Sequence, residues 1–302
     1  MILKVAEIFI NVITPVFALV LIGYLAGPRL GLSARTLTRY AYFILIPCFI
    51  FNVISTAEVA AEVATQMVIY IFIVHVACAL LGFGVAWFLR RPKQMVSAYV
   101  LIAVFGNVGN FGLPLIEFRL GEVARVPATI YFLVIVALAF IIGVMAANWN
   151  TGSSAKAVLE VFKTPALIAM VPAFFFNWGE IAPPLFLSRI SGLLGAAMIP
   201  TMLVTLGIQL SDVHQIRITP DVVIASLIRL AGGPALAFGL VGLFGLSGLE
   251  RGAGILQASM PTAILASIIA LEYELIPDFV TTTVLFSTVL SLITLTTVLA
   301  LV

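Results

Sequence analysis

Two short segments concentrate the polar and conformationally special residues of this 302-residue chain. One reads Gly106-Asn107-Val108-Gly109-Asn110-Phe111-Gly112-Leu113-Pro114, the other Gln257-Ala258-Ser259-Met260-Pro261-Thr262. Glycine adds backbone freedom, and proline removes a donor and clashes with the preceding turn, so neither segment sustains a regular helix. Asn107 and Asn110 bring amide donors and acceptors, and Ser259 and Thr262 bring hydroxyls. These groups bind a solute rather than attack one. If the segments cross, half-helices starting near Gly112 and near Thr262 point their positive ends at one place, which favours an anion. The alternative for the asparagines is capping of the half-helix ends.

Bond-making chemistry lacks its residues. The histidines are His75 and His214, and there is no HExxH, no GxSxG, no aspartate pair within an apolar stretch and no GxxxxGK[ST] loop. That removes the common routes to a protease, a hydrolase and an ATP-driven pump. No enzyme activity, metal or cofactor is expected, and a coupling proton or sodium ion stays open. His75 and Arg229 lie deep in apolar stretches, 154 residues apart. Ionisable groups there are expensive and mark function: Arg229 as countercharge to a substrate carboxylate, His75 as a proton-sensitive neighbour. The competing reading has Arg229 snorkelling to the boundary and His75 bonded to a backbone carbonyl. Gln257 joins His75 as a coupling candidate. Asn52, Thr205 and Gln209 are candidates for a wall facing the substrate, or else interhelical hydrogen bonds. Glu117, Glu272 and Glu274 fall near the ends of apolar stretches, where solvated charge is the default reading.

The elements that must position these residues are membrane spans. The chain is 63% hydrophobic and 9% charged, with a mean hydropathy of +1.23, outside the range of ordinary soluble domains. Apolar stretches of spanning length occur at about 5–26, 36–54, 65–89, 94–118, 124–148, 157–177, 184–210, 220–243, 251–272 and 278–301. The first is a retained helix rather than a signal peptide, and Cys48 and Cys78 act as small hydrophobes within spans. With the N-terminus outside, the inner loops carry nine Lys or Arg, among them Arg29, Arg35, Arg39, Arg90 and Arg91, and the outer side five. By the positive-inside rule both termini lie outside. The net charge of +2 gives no basic surface for nucleic acid.

The two halves carry the same signatures in the same order. Thr14-Pro15 returns as Thr164-Pro165 after 150 residues, Ile46-Pro47 as Ile199-Pro200 after 153, and Pro114 as Pro261 after 147. Near-constant offsets read as an internal repeat, residues 1–150 and 151–302. Five crossings in each half make the second unit inverted relative to the first, the plan of many secondary transporters.

The run Gly106-Asn107 through Gly112-Leu113-Pro114-Leu115 resembles the helix-4 motif of the auxin efflux carrier family, whose bacterial members include proposed dicarboxylate carriers. Gln257-Ala258, Pro261, Ala270, Glu272-Tyr273 and Pro277-Asp278 resemble its last two helices, and Pro47, Phe51 and Ile54-Ser55 are similar to its helix 2. The resemblance implies an all-α integral membrane fold of ten helices with crossed broken helices 4 and 9, shared with bile-acid/sodium symporters and sodium/proton antiporters. It implies a dimerising scaffold of helices 1, 2, 6 and 7, a moving transport domain of helices 3–5 and 8–10, and substrate beside Asn107, Asn110, Pro114 and Pro261. Two features depart from the pattern. The carboxylate that plant members carry in helix 3 is missing from 65–89, and the sodium-binding Glu and Gln pattern of the bile-acid group is not evident around Gln257.

These readings converge on a homodimeric secondary transporter of a small organic anion, a carboxylate, working by elevator-type alternating access in a prokaryotic inner membrane among its lipids. The expected substrate contacts are Asn107, Asn110, Gly109, Gly112, Pro114, Ser259, Pro261, Thr262, Asn52 and Arg229. The alternatives are a sodium- or proton-coupled carrier of a larger amphipathic acid, an ion antiporter, a channel and a membrane receptor. An antiporter needs carboxylates at the crossover, and this one has none.

Overall fold

The computed structural model describes residues 6–58, 60–148, 164–211 and 217–302. Lys4, Lys156, Lys163 and His214 lie outside the described residues, as does the start of the span expected at 157–177. Among the described residues the fold is all-helical, with one isolated antiparallel bridge and no strand. The helices are α1 (Ala6–Leu30), α2 (Ala34–Ile54), α3 (Ala61–Phe88), α4 (Lys93–Val104), α5 (Leu113–Leu120), α6 (Arg125–Asn148), α7 (Pro165–Trp178), α8 (Leu185–Ser211), α9 (Pro220–Phe244), α10 (Gly248–Ala258), α11 (Ile264–Glu272) and α12 (Pro277–Leu301). Six of them, α1, α2, α3, α8, α9 and α12, are long and apolar enough to cross a bilayer. The expected fourth span is divided between α4 and α5, and the expected ninth between α10 and α11.

Prolines set the local geometry of four helices. A π turn at Phe9–Ile13, Ala41–Leu45, Val108–Gly112 and Ile228–Gly232 is followed, after one residue, by Pro15, Pro47, Pro114 and Pro234. In each case the residue before the proline donates five residues back, as Leu113 does to Val108. A proline inside a helix lacks its donor and crowds the carbonyl four residues before it, and a wider turn relieves both. The matched prolines of the second half behave differently. Pro165 opens α7, and Pro200 sits inside α8 without a π turn.

Packing follows close approach of small residues, as in membrane bundles generally. α1 lies along α8, and α2 contacts α7 and α8. α3 packs on α4 and α6, α9 on α3, α10 and α12, and α11 on α12. Glu117, read from sequence as solvated charge, instead accepts from both Nε and Nη2 of Arg125, with Glu122 beside it. At the α9 start, Asp221 accepts from Arg91 at 2.9 Å and from the Tyr99 hydroxyl at 2.7 Å, joining the α3–α4 connection to α9.

Candidate functional site

The two interrupted helices meet at their breaks. The Asn107 amide donates to the Pro261 carbonyl at 2.7 Å and the Ala263 amide to the Phe105 carbonyl at 2.8 Å, which pairs Gly106 with Thr262. Two backbones buried at this depth must satisfy their polar groups within protein, and each does so on the other. The Thr262 amide is held in turn by the Ser287 hydroxyl of α12 at 3.2 Å.

Helical structure resumes earlier on the first chain segment than its sequence indicates. The Asn107 carbonyl accepts from Phe111 and Gly112, both at 3.1 Å, so the run begins at Val108 rather than near Gly112. The break itself is Phe105–Asn107, and Pro114 stands at the junction of the π turn with α5. On the second segment Pro261 lies within the break, and α11 starts at Ile264.

A cavity of about 310 Å³ opens against this crossover. One wall is formed by Phe105 to Asn110 with Ala263, Ile264 and Leu265, together with Phe132 and Ile135 of α6. Facing it are Thr38, Tyr42 and Ile46 of α2, Ala166 of α7, and Met202, Thr205 and Gln209 of α8. No charged side chain is among its described lining residues. Gly109, Asn110, Ile264 and Leu265 stand in the first turns of two helical runs, where amides have no intrahelical partner and the dipole is positive. The Asn107 Nδ2, buried beside them, has no hydrogen-bond partner within the protein.

The structure thus brings Asn107, Gly109 and Asn110 to the cavity, together with Thr205 and Gln209 of the opposite wall. Tyr42 and Thr38 also line it and were not singled out by sequence, because a lone Tyr or Thr in an apolar stretch carries no distinguishing signal. Other candidates lie elsewhere. Gly112 packs against the Gln257 amide, whose Nε2 donates to Ala128 at 3.2 Å. Ser259 donates to Ile255 within its own helix, and the Thr262 hydroxyl is buried behind the crossover wall. Pro114 and Pro261 shape the backbone without lining the cavity, and Asn52 is placed beside Gly192 of α8. His75 holds the Ile71 carbonyl through Nδ1 at 3.0 Å and meets the Tyr131 ring edge-on at 5.6 Å.

Arg229 neither reaches the surface nor lines the cavity. It is 1% exposed and donates to Met260 at 2.7 Å, Ala103 at 2.8 Å and Ala258 at 3.0 Å. A snorkelling arginine is inconsistent with that burial. For the role of direct countercharge, three of the five guanidinium donors are already engaged by backbone carbonyls, and the group stands behind Gly106.

A multi-pass helical protein with a largely apolar, uncharged cavity built on two broken helices has the construction of a membrane transporter. The chain belongs to the membrane transport protein family, that of the auxin efflux carriers, whose model matches residues 8–158 and 151–299. An uncharacterized transporter of Methanothermobacter thermautotrophicus is 28% identical over 93% of this chain and 94% of its own length. A protein of Rhizobium meliloti named "Putative malonate transporter" is 26% identical over 95% of this chain and 93% of its own. Auxin efflux carrier component 6 of Arabidopsis thaliana is 41% identical over 66 residues, 22% of this chain and 12% of that protein.

Proposed function

We propose that this protein is a secondary carrier of a small organic anion, bound by one carboxylate at the crossover and moved by alternating access. The observation that carries the reading is the cavity: two helix N-termini stand on one wall beside Asn107, whose side-chain Nδ2 is buried without a partner, and the rest of the lining is neutral and mostly apolar. Each N-terminus is equivalent to roughly half a positive charge, so the pair suits one negative charge. A dianion would leave its second charge against neutral groups. The name of the Rhizobium relative supports a carboxylate as the class.

In this account residues 1–150 and 151–302 are inverted five-helix repeats, ten crossings in all. α1, α2, α7 and α8 form the scaffold and the dimer contact, and α3–α6 with α9–α12 move as the transport domain. The packing groups and the position of the cavity between them support this division. The protein sits in a prokaryotic cytoplasmic membrane with both termini outside.

Uptake of radiolabelled malonate, malate and an indole-type acid into proteoliposomes, under imposed proton and sodium gradients, tests the proposal. Saturable uptake whose KM rises in Asn107→Ala supports it. Absence of uptake of any acid under every gradient removes the organic-anion reading and favours a channel or receptor.

A further inference from the structure

The crossover has a second face, made of the C-terminal ends of α4 and α10. A helix C-terminus leaves its last carbonyls without intrahelical partners and carries roughly half a negative charge. Two such ends side by side amount to about one negative charge, in surroundings where unsatisfied carbonyls cost several kcal/mol each. Ala103 belongs to the last turn of α4, Ala258 ends α10, and Met260 follows in the break. The carbonyls of all three accept from the single guanidinium of Arg229. No carboxylate of the described residues forms an ion pair with it.

A carbonyl cage around one positive charge is the coordination that a hard monovalent or divalent cation seeks in a protein. Here the charge is covalently attached. Arginine stays protonated in any protein environment, so the charge is permanent. The backbone is shaped for it: a Cβ on Gly106 would collide with Arg229 Nη2 and stand 2.9 Å from Cζ. Gly106 also lines the cavity, so one glycine separates the guanidinium from the cavity. The π turn at Ile228–Gly232, with Pro234 beyond it, carries the side chain inward from α9.

We infer that Arg229 is a resident cation: its guanidinium fills the carbonyl-lined site between the ends of α4 and α10, neutralises both, and closes that site to exchangeable inorganic cations. It is a positioning residue, acting on substrate through the crossover. Its consequence for transport rests on the carrier reading above: with the negative ends already neutralised, the positive ends at the cavity attract an anion without recruiting sodium.

The test has a binding arm and a transport arm. Purified protein is unfolded thermally in sodium, potassium or choline salts, and with millimolar guanidinium, as wild type, Arg229→Ala, Arg229→Met and Arg229→Lys. The wild-type midpoint is expected to be the same in all salts. Arg229→Ala and Arg229→Met are expected to unfold at lower temperature, Arg229→Lys between them and wild type, and guanidinium to raise the midpoint of Arg229→Ala alone by mass action. In proteoliposomes, wild-type uptake is expected to be equal in sodium and choline, and Arg229→Met, which keeps volume but not charge, to raise KM for the acid about tenfold or more. A wild type stabilised or activated specifically by sodium overturns the inference. So does Arg229→Met behaving as wild type. If Arg229→Ala does not fold, the wild-type salt comparison and Arg229→Lys still decide. If wild type takes up no acid in any salt, the carrier reading fails while the thermal arm stands.

Discussion

The amide of Asn107 and the carbonyl of Pro261, 2.7 Å apart, join two chain breaks separated by about half the sequence. This bond is made by backbone on both sides, so it constrains the position of the Asn107 side chain without using it. The side-chain Nδ2 is left buried and unpartnered next to the cavity.

Asn107→Ala therefore keeps the crossover and deletes the free donor. A hydrogen bond to a charged group contributes about 1.5–3 kcal/mol, so KM for the transported acid should rise about 10- to 100-fold with little change in thermal stability. Initial uptake rates across a substrate series, with unfolding midpoints alongside, check this. A large loss of stability with unchanged KM would mean that Asn107 is a cap.

Gly112 and Gln257 share one space. A Cβ on Gly112 would overlap the Gln257 side-chain amide, so Gly112→Ala should lower both stability and uptake. Shortening the neighbour relieves the collision, and Gly112→Ala/Gln257→Ala should recover part of the loss. A double-mutant cycle on the unfolding midpoint measures this coupling, and additive effects would contradict it.

The α1–α8 seam depends on Gly23 and Gly207. A Cβ on Gly23 would strike the Val204 carbonyl, and one on Gly207 the Val20 carbonyl, backbone atoms that cannot swing aside. Overpacking costs typically about 1–3 kcal/mol, so Gly23→Ala and Gly207→Ala should each lower the unfolding midpoint by several degrees. Gly239→Ala meets nothing within 4 Å and should leave it unchanged or slightly higher, since alanine favours helix.

An uncharged cavity wall discriminates by charge number. Monocarboxylates with an apolar body should compete better than dianions of similar size, and malonate uptake should rise as pH falls and its monoanion accumulates. Competition against a labelled monocarboxylate between mildly acidic and neutral pH reads this directly. A dianion that binds more tightly at the higher pH would contradict it.

Both helix breaks were legible in sequence because Gly106, Gly109, Gly112, Pro114 and Pro261 carry local backbone signals. Six helices of spanning length, α1, α2, α3, α8, α9 and α12, were legible from apolar length alone. Exact break positions were not: the segment from Gly106 to Pro114 indicated a half-helix starting near Gly112, whereas the helical run resumes at Val108 through a π turn and the break falls at Phe105–Asn107. Matched prolines also gave unmatched structure, since Pro47 follows a π turn and Pro200 does not. The placement of Arg229 was illegible for a different reason. Its partners are backbone carbonyls of Ala103, Ala258 and Met260, which any residue type could supply. Thr205 and Gln209 were legible as wall candidates by their polarity in an apolar span, while Tyr42 became visible only with the cavity.

Carriage of a carboxylate by the cavity at the crossover is tested by counterflow. Proteoliposomes preloaded with an unlabelled acid should accumulate the same labelled acid transiently above its equilibrium level, and Asn107→Ala should suppress that overshoot. Flux that rises without saturation and shows no overshoot, or an overshoot indifferent to Asn107→Ala, would rule out a carboxylate carrier built on this cavity.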